Sequence, residues 1–236
     1  MSRVEIIGDA TLYLGDALEV LPTLQRVDAV VTDPVWPNAP EGMFPGVDPD
    51  ALWREACELM PPMRQMVVCL RSDCDPRFLR HVPSSLRFQQ VVWCPYVVPG
   101  YTGRTLGGNE TAYVFGDPIP SAPGQRVIPG QAPKVQPQDR PMQRGETTHP
   151  CPRSLPHQEW LFRWFTQPGE TVLDPFMGSG TAGVAAVNFG RPFIGIEINL
   201  AFFDIACRRI ESARKQPRLF AEPRVQAQTE LELTRD

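Results

Sequence analysis

The sequence predicts an α/β fold in which a mostly parallel sheet carries helices on both faces. Three observations lead there. Compact β-branched runs alternate with segments of helical period along most of the chain, the pattern of strands joined by helical crossovers. Two of those runs, residues 27–32 and 171–173, stop abruptly at Asp-Pro pairs. The second stop opens into a glycine-rich turn and an alanine-rich segment. Ligands of such sheets lie beyond the carboxyl ends of the strands, so both stops are candidate functional positions.

The elements follow in order. Residues 4–14 alternate weakly and lead through Gly15-Asp16-Ala17 into a short helical run over 18–24. Residues 27–32 read as a buried parallel strand. Over 50–60, Leu52, Trp53, Ala56, Leu59 and Met60 fall at helical spacing, with Asp50 near the start. Residues 66–70 form another strand, and 75–81 opens as a helix with Pro76 in its first turn, where a missing N–H costs little. Residues 88–98 and 111–115 read as strands flanking the loop 99–110. From 116 to 152 prolines recur every few residues without apolar periodicity, so an extended or mobile surface segment is expected. Regular structure resumes with a helix over 155–165, a strand over 171–173, a helix over 181–189, a strand over 193–197 and a helix over 200–214. The polar tail, 216–236, is expected to fray. A single domain over 1–215 results.

Composition bounds the function. The 236 residues are 42% hydrophobic and 21% charged, which suits one sizeable core and excludes a disordered chain. No apolar run is long enough to span a bilayer, and the opening Met-Ser-Arg-Val-Glu lacks a secretory pattern, so a soluble cytoplasmic protein without a membrane partner is expected. The six cysteines are scattered, with no CxxC pair and no zinc spacing, which predicts reduced thiols and no metal site. A net charge of -4 argues against nonspecific coating of nucleic acid but leaves room for a local basic face.

The C-terminal stop reads Asp174-Pro175-Phe176-Met177-Gly178-Ser179-Gly180-Thr181. Glycines there let backbone amides approach a ligand at a helix N-terminus. The next strand ends in Glu197, placed to accept both hydrogen bonds of a ribose hydroxyl pair. Together they point to an adenosine-bearing cofactor. No Lys-Ser/Thr follows the glycines, which excludes a Walker-type phosphate loop. The N-terminal stop reads Asp33-Pro34-Val35-Trp36. A strand-end carboxylate, a proline and a large aromatic suit a planar ring with an exocyclic amine, the way bases taken out of a duplex are held.

The order of these motifs resembles the amino-DNA methyltransferases, in the permuted class whose catalytic motif precedes the cofactor motif. The resemblance covers residues 5–36 and 149–214. It implies a Rossmann-like S-adenosylmethionine-dependent methyltransferase acting on adenine N6 or, as the alternative, cytosine N4. It further implies that Asp33, Pro34 and Trp36 form the catalytic pocket. Asp174, Phe176, Gly178, Ser179, Gly180, Thr181 and Glu197 would hold S-adenosylmethionine, with His149, Arg153 and Asp16 contributing. Arg153 stands where the family usually has lysine, and Val35 where it usually has a second proline.

DNA is the implied partner, as a duplex with a flipped base or as a single strand, and a homodimer is compatible. The Pro-rich loop 116–148 stands in place of a large target-recognition insert. Its Arg126, Lys134, Arg140 and Arg144, with Arg104 of the preceding loop, are the expected phosphate contacts. A nicotinamide-dependent dehydrogenase would explain the glycines and Glu197 but not Asp33-Pro34 or His149-Pro150. A cofactor-binding protein without methyl transfer is the remaining alternative.

Overall fold

The structure, a computed structural model, describes residues 3–39, 44–97, 101–102, 105–106, 109–118, 128–136 and 152–216. The chain opens with a hairpin, β1 (Arg3–Ile7) and β2 (Ala10–Leu14), turned at Gly8 with φ +61°. Asp16 then caps α1 (Ala17–Val20), its carboxylate accepting from the Leu18 amide at 2.9 Å. Pro22 falls in the 3-10 turn Leu21–Thr23, so the expected run over 18–24 is two short pieces. The fully buried β3 (Ala29–Thr32) leads into the first Asp-Pro stop.

Helix α2 (Pro49–Leu59) begins one residue earlier than its spacing suggests. Asp48, not Asp50, caps it, accepting from the amides of Asp50 and Ala51, while Pro49 takes the first-turn position. Asp50 is left to pair with Arg80 at 2.5 Å. After β4 (Gln65–Arg71), residues Pro76–His81 form a 3-10 helix capped by Asp75. Then come β5 (Phe88–Cys94), the two-residue strands β6 (Tyr101–Thr102) and β7 (Thr105–Leu106), and β8 (Glu110–Gly116). The C-terminal part runs α3 (Leu155–Phe165), β9 (Val172–Asp174), α4 (Thr181–Phe189), β10 (Phe193–Glu197) and α5 (Leu200–Lys215), as its periodicity predicts.

Eight strands form one sheet in the order β1-β2-β10-β9-β3-β4-β8-β5. The run from β2 to β4 is parallel, and the outer pairs β1/β2, β4/β8 and β8/β5 are antiparallel. Alternation along the central strands gives two apolar layers. Leu12, Val31, Val67 and Val172 pack with Phe162 of α3, Ala185 of α4 and Phe203 of α5. Val30, Met66, Leu173 and Ile196 pack on the other face with Val20 of α1 and Trp53 of α2. This is the Rossmann-like arrangement the sequence predicts. It brings the carboxyl ends of β3 and β9, which carry the two Asp-Pro stops, side by side.

Where it is described, the Pro-rich stretch is extended and mostly exposed, as expected, but it is tied to the sheet. Residues 128–136 run extended along the edge strand β5, with Trp93 N–H donating to Gly130 O and Val97 N–H to Val135 O. Ala132 and Val135 are 2% exposed and anchor this surface segment to the edge of the sheet. Two small residues at a spacing of three escape a search for periodic apolar runs. Cys57, Cys69, Cys74 and Cys94 are free and buried, and Cys207 is free and half-buried. Among the described residues no helix is long and apolar enough to cross a membrane, and no cluster of three metal-ligating side chains occurs.

Candidate active site

A cavity of about 680 Å³ lies beyond the carboxyl ends of β3, β9 and β10, and both Asp-Pro stops open onto it. Its wall is completed by Asp16 at the start of α1, by Val47 to Leu52 around the start of α2, and by Arg153 ahead of α3. A volume of this order suits a nucleoside-sized ligand with room beside it.

On one side the glycine turn folds back over β10. Met177 N–H donates to Ile196 O at 2.9 Å, and Gly178 N–H donates to Glu197 Oε2 at 2.8 Å. Gly180, at φ +79°, caps α4 in the left-handed region, and a Cβ there would lie 2.8 Å from that of Ala206 on α5. Only glycine satisfies both the turn and the close approach of α5. Glu197 accepts Asn199 N–H through Oε1 at 2.8 Å, and the Ile198 amide is also turned to the carboxylate, which still borders the cavity. Burial pushes its carboxyl up, against the amides of Asn199, Gly178 and Ile198. Exposed Ile198 and half-buried Phe202 flank it and offer an apolar surface.

Asp174 closes β9, 4% exposed. Thr32 Oγ1 donates to its Oδ1 at 2.8 Å and Phe176 N–H to the same oxygen at 3.1 Å. Burial pushes this carboxyl up to about 7, the two hydrogen bonds opposing and the charges of Asp33 and Glu197 adding to the rise. Ser179 and Thr181 also border the cavity, but their hydroxyls face Arg209 of α5, whose Nη1 lies 3.1 Å from each. That arginine fastens the turn to the last helix.

On the other side Asp33 is held in a dense polar cluster. Arg153 donates to both of its oxygens, Nε to Oδ2 and Nη2 to Oδ1, each at 2.5 Å. The indole N–H of Trp36 donates to Oδ1 at 2.8 Å. Trp36 is 3% exposed, and the guanidinium of Arg153 sits over its ring with 5.1 Å to the centroid. Arg153 Nη1 reaches 2.8 Å from Oε1 of Glu110, the first residue of β8. Glu110 also accepts from the Tyr96 hydroxyl at 2.6 Å and faces Nδ1 of His157 at 3.8 Å. Burial opposes the Glu110 charge, but Arg153, His157 and Tyr96 outweigh it and hold the carboxyl at about 2. Asp33 lies above the usual aspartate range because burial, with the neighbouring Glu110 charge, exceeds what Arg153 and Trp36 return.

The structure thus brings Asp16, Asp33, Pro34, Trp36, Arg153, Asp174, Phe176, Gly178, Ser179, Thr181 and Glu197 to one cavity. Gly180 lies beneath it, shaping the turn. Lys134 is exposed on the strand-like stretch beside β5 and does not border the cavity. His149, Arg104, Arg126, Arg140 and Arg144 fall outside the described residues. Sequence reasoning missed Thr32, which ties the two stops together, and Glu110, which shares Arg153 with Asp33. The one signal for Glu110 was an acid opening an otherwise apolar strand, Glu110–Gly116.

Comparison with known proteins fits this geometry. The DNA methylase family N6_N4_Mtase matches residues 28–208. The Type II methyltransferase M.Cfr9I of Citrobacter freundii is 50% identical over 46 residues, 20% of this chain and 15% of that protein. The DNA adenine methyltransferase YhdJ of Escherichia coli is 50% identical over 48 residues, 20% of this chain and 16% of that one. The matched segments therefore span about a sixth of these curated relatives. Among solved structures, the M1.HpyAVI–SAM complex superposes with a TM-score of 0.64 at 24% identity, covering 85% of this chain and 99% of that one. The cytosine-N4-specific PvuII DNA methyltransferase superposes at 0.59 with 16% identity, covering 85% and 86%. Both share the fold.

Proposed function

Because the chain belongs to the N6/N4 DNA methylase family, we propose that it transfers a methyl group from S-adenosylmethionine to an exocyclic amine of DNA, with adenine N6 the preferred acceptor. The observation that carries this reading is the single cavity onto which both Asp-Pro stops open. Cofactor and target base can then meet without either leaving the sheet edge.

The residues present fit the cofactor. Glu197 presents its carboxylate to the cavity as an acceptor for ribose hydroxyls, and Ile198 and Phe202 supply an apolar surface for a purine. Asp174 stands as a buried carboxylate for a cationic end. Bound there, S-adenosylmethionine supplies a methyl group activated on a sulfonium. The rest is positioning by the chain. An exocyclic amine is a weak nucleophile because its lone pair is conjugated with the ring. Asp33 and the Pro34 carbonyl accept its two hydrogens, draw it towards tetrahedral geometry and aim the lone pair across the cavity. As the new N–C bond forms, the methyl–sulfur bond breaks with its electron pair left on sulfur, and the surplus proton on the nitrogen passes to the Asp33 carboxylate that holds the amine. Most of the acceleration comes from orientation and fixed electrostatics.

Adenine is preferred because the strand-end acceptor is an aspartate, and a relative named as an adenine methyltransferase is among the matches. The whole of 1–215 acts as one methyltransferase domain, with 116–148 as its DNA-facing segment and a flipped or single-stranded base as substrate. Digestion of DNA treated with the protein and labelled cofactor, followed by mass spectrometry of the nucleosides, tests this. N6-methyladenine is the expected product. N4-methylcytosine instead would replace the acceptor, and no methylated nucleoside with cofactor still bound would favour a non-catalytic role.

A further inference from the structure

Glu110 lies outside the cavity wall, yet its carboxylate is largely enclosed, 13% exposed, and a charge so placed is costly unless it is well engaged. It comes from β8, two strands away from β3 in the sheet. Its partners are Arg153 Nη1, the Tyr96 hydroxyl and, at 3.8 Å, His157. His157 is itself oriented by Nε2, which lies 3.1 Å from the carbonyls of Pro95 and Pro133. Glu110, Tyr96 and His157 do not line the cavity, whereas Arg153 does. The output of this arrangement is the position of one guanidinium.

That guanidinium governs what Asp33 can accept. A carboxylate offers about four lone-pair sites. Oδ1 of Asp33 uses two, for Arg153 Nη2 and Trp36 Nε1, and Oδ2 uses one, for Arg153 Nε. Among the described residues no donor takes the second site on Oδ2. We propose that Glu110 is a positioning residue for methyl transfer: by anchoring the far end of Arg153 it keeps one acceptor site on Asp33 open and makes two carboxylates share a single cation. Asp33 is thereby a stronger acceptor and base than in a one-to-one pair. The groups facing Asp33 are Arg153 ahead of α3, Glu110 on β8, Asp174 on β9, Cys69 on β4 and the Trp36 indole.

This role rests on the methylase reading, and its test separates the two. Glu110→Gln keeps size and an acceptor oxygen but removes the charge. In the free protein, the ¹³C carboxyl resonance of Asp33, assigned by its loss in Asp33→Asn, is expected to titrate at lower pH in Glu110→Gln than in wild type. The acid limb of the kcat profile is expected to move the same way. Turnover should fall about tenfold or more, with KM for the cofactor unchanged. A folded Glu110→Gln whose Asp33 titration and acid limb match wild type overturns the proposal. If that variant does not fold, Glu110→Ala, which removes the same charge and leaves room for water beside Arg153 Nη1, must shift both in the same direction, and no shift overturns it. A wild type that methylates nothing overturns the methylase reading and this role with it, whereas an unmoved titration in an active enzyme overturns this role alone.

Discussion

Replacing Asp174 by asparagine isolates the cost of a buried charge at the junction of the two stops. The asparagine carbonyl can still accept from Thr32 Oγ1 and Phe176 N–H, so packing and both hydrogen bonds survive. What disappears is the ionisation. The native carboxyl is pushed from 3.8 up to about 7 by burial, so the folded state holds a proton that the unfolded chain releases near 4. Since the folded value is the raised one, this proton's contribution is complete below pH 3.8 and is lost as pH rises through about 7. At about 1.4 kcal/mol per pH unit the loss totals about 4 kcal/mol, of which about 3 kcal/mol falls between pH 5 and pH 8. Urea unfolding followed by circular dichroism should show Asp174→Asn gaining on wild type by about 3 kcal/mol over that range. A wild-type-to-variant difference that is the same at pH 5 and pH 8 would refute the reasoning.

Three other outcomes are expected. If Asp174 meets the cationic end of the cofactor, calorimetry should find S-adenosylmethionine binding tighter as pH rises from 6 to 8 with proton uptake by buffer, and a flat affinity would count against that contact. Gly180→Ala forces a left-handed position and a contact with Ala206, so thermal melts should show a loss of about 1–3 kcal/mol with cofactor binding weakened in parallel. Glu170 holds Arg64 through two contacts at 2.5 Å and also accepts Gln167 N–H at 2.7 Å, so Glu170→Ala should cost about 1–3 kcal/mol while leaving cofactor affinity intact.

The C-terminal half was legible because each of its elements is continuous, periodic and punctuated. Ser154 caps α3, Gly180 and Gly190 bracket α4, and Asn199 caps α5. Those signals act over a few residues and survive any tertiary context. The cofactor half of the cavity was readable for the same reason, since Gly178 lies in the turn after β9 and Glu197 ends β10, within one local unit. In the acceptor half, Asp33, Pro34 and Trp36 were readable from their strand-end stop, but the side chains that meet Asp33 were not. Arg153 meets Asp33 across 120 positions, and Glu110 joins them only because β8 returns antiparallel beside β4. No local pattern encodes such a contact; sheet order does. Residues 128–136 hid for a different reason, being held by backbone pairing to Trp93 and Val97, which leaves little trace in side-chain periodicity.

The central claim, that this cavity moves a methyl group to a DNA amine held by Asp33, is tested most directly by Asp33→Ala. The protein is incubated with tritiated S-adenosylmethionine and DNA, in duplex and single-stranded form, with cofactor binding measured by calorimetry alongside. Wild type should label the DNA, and Asp33→Ala should lose at least about a hundredfold in rate while still binding the cofactor. Equal labelling by wild type and Asp33→Ala would contradict the account, because the amine would then be oriented by something other than the carboxylate at the end of β3.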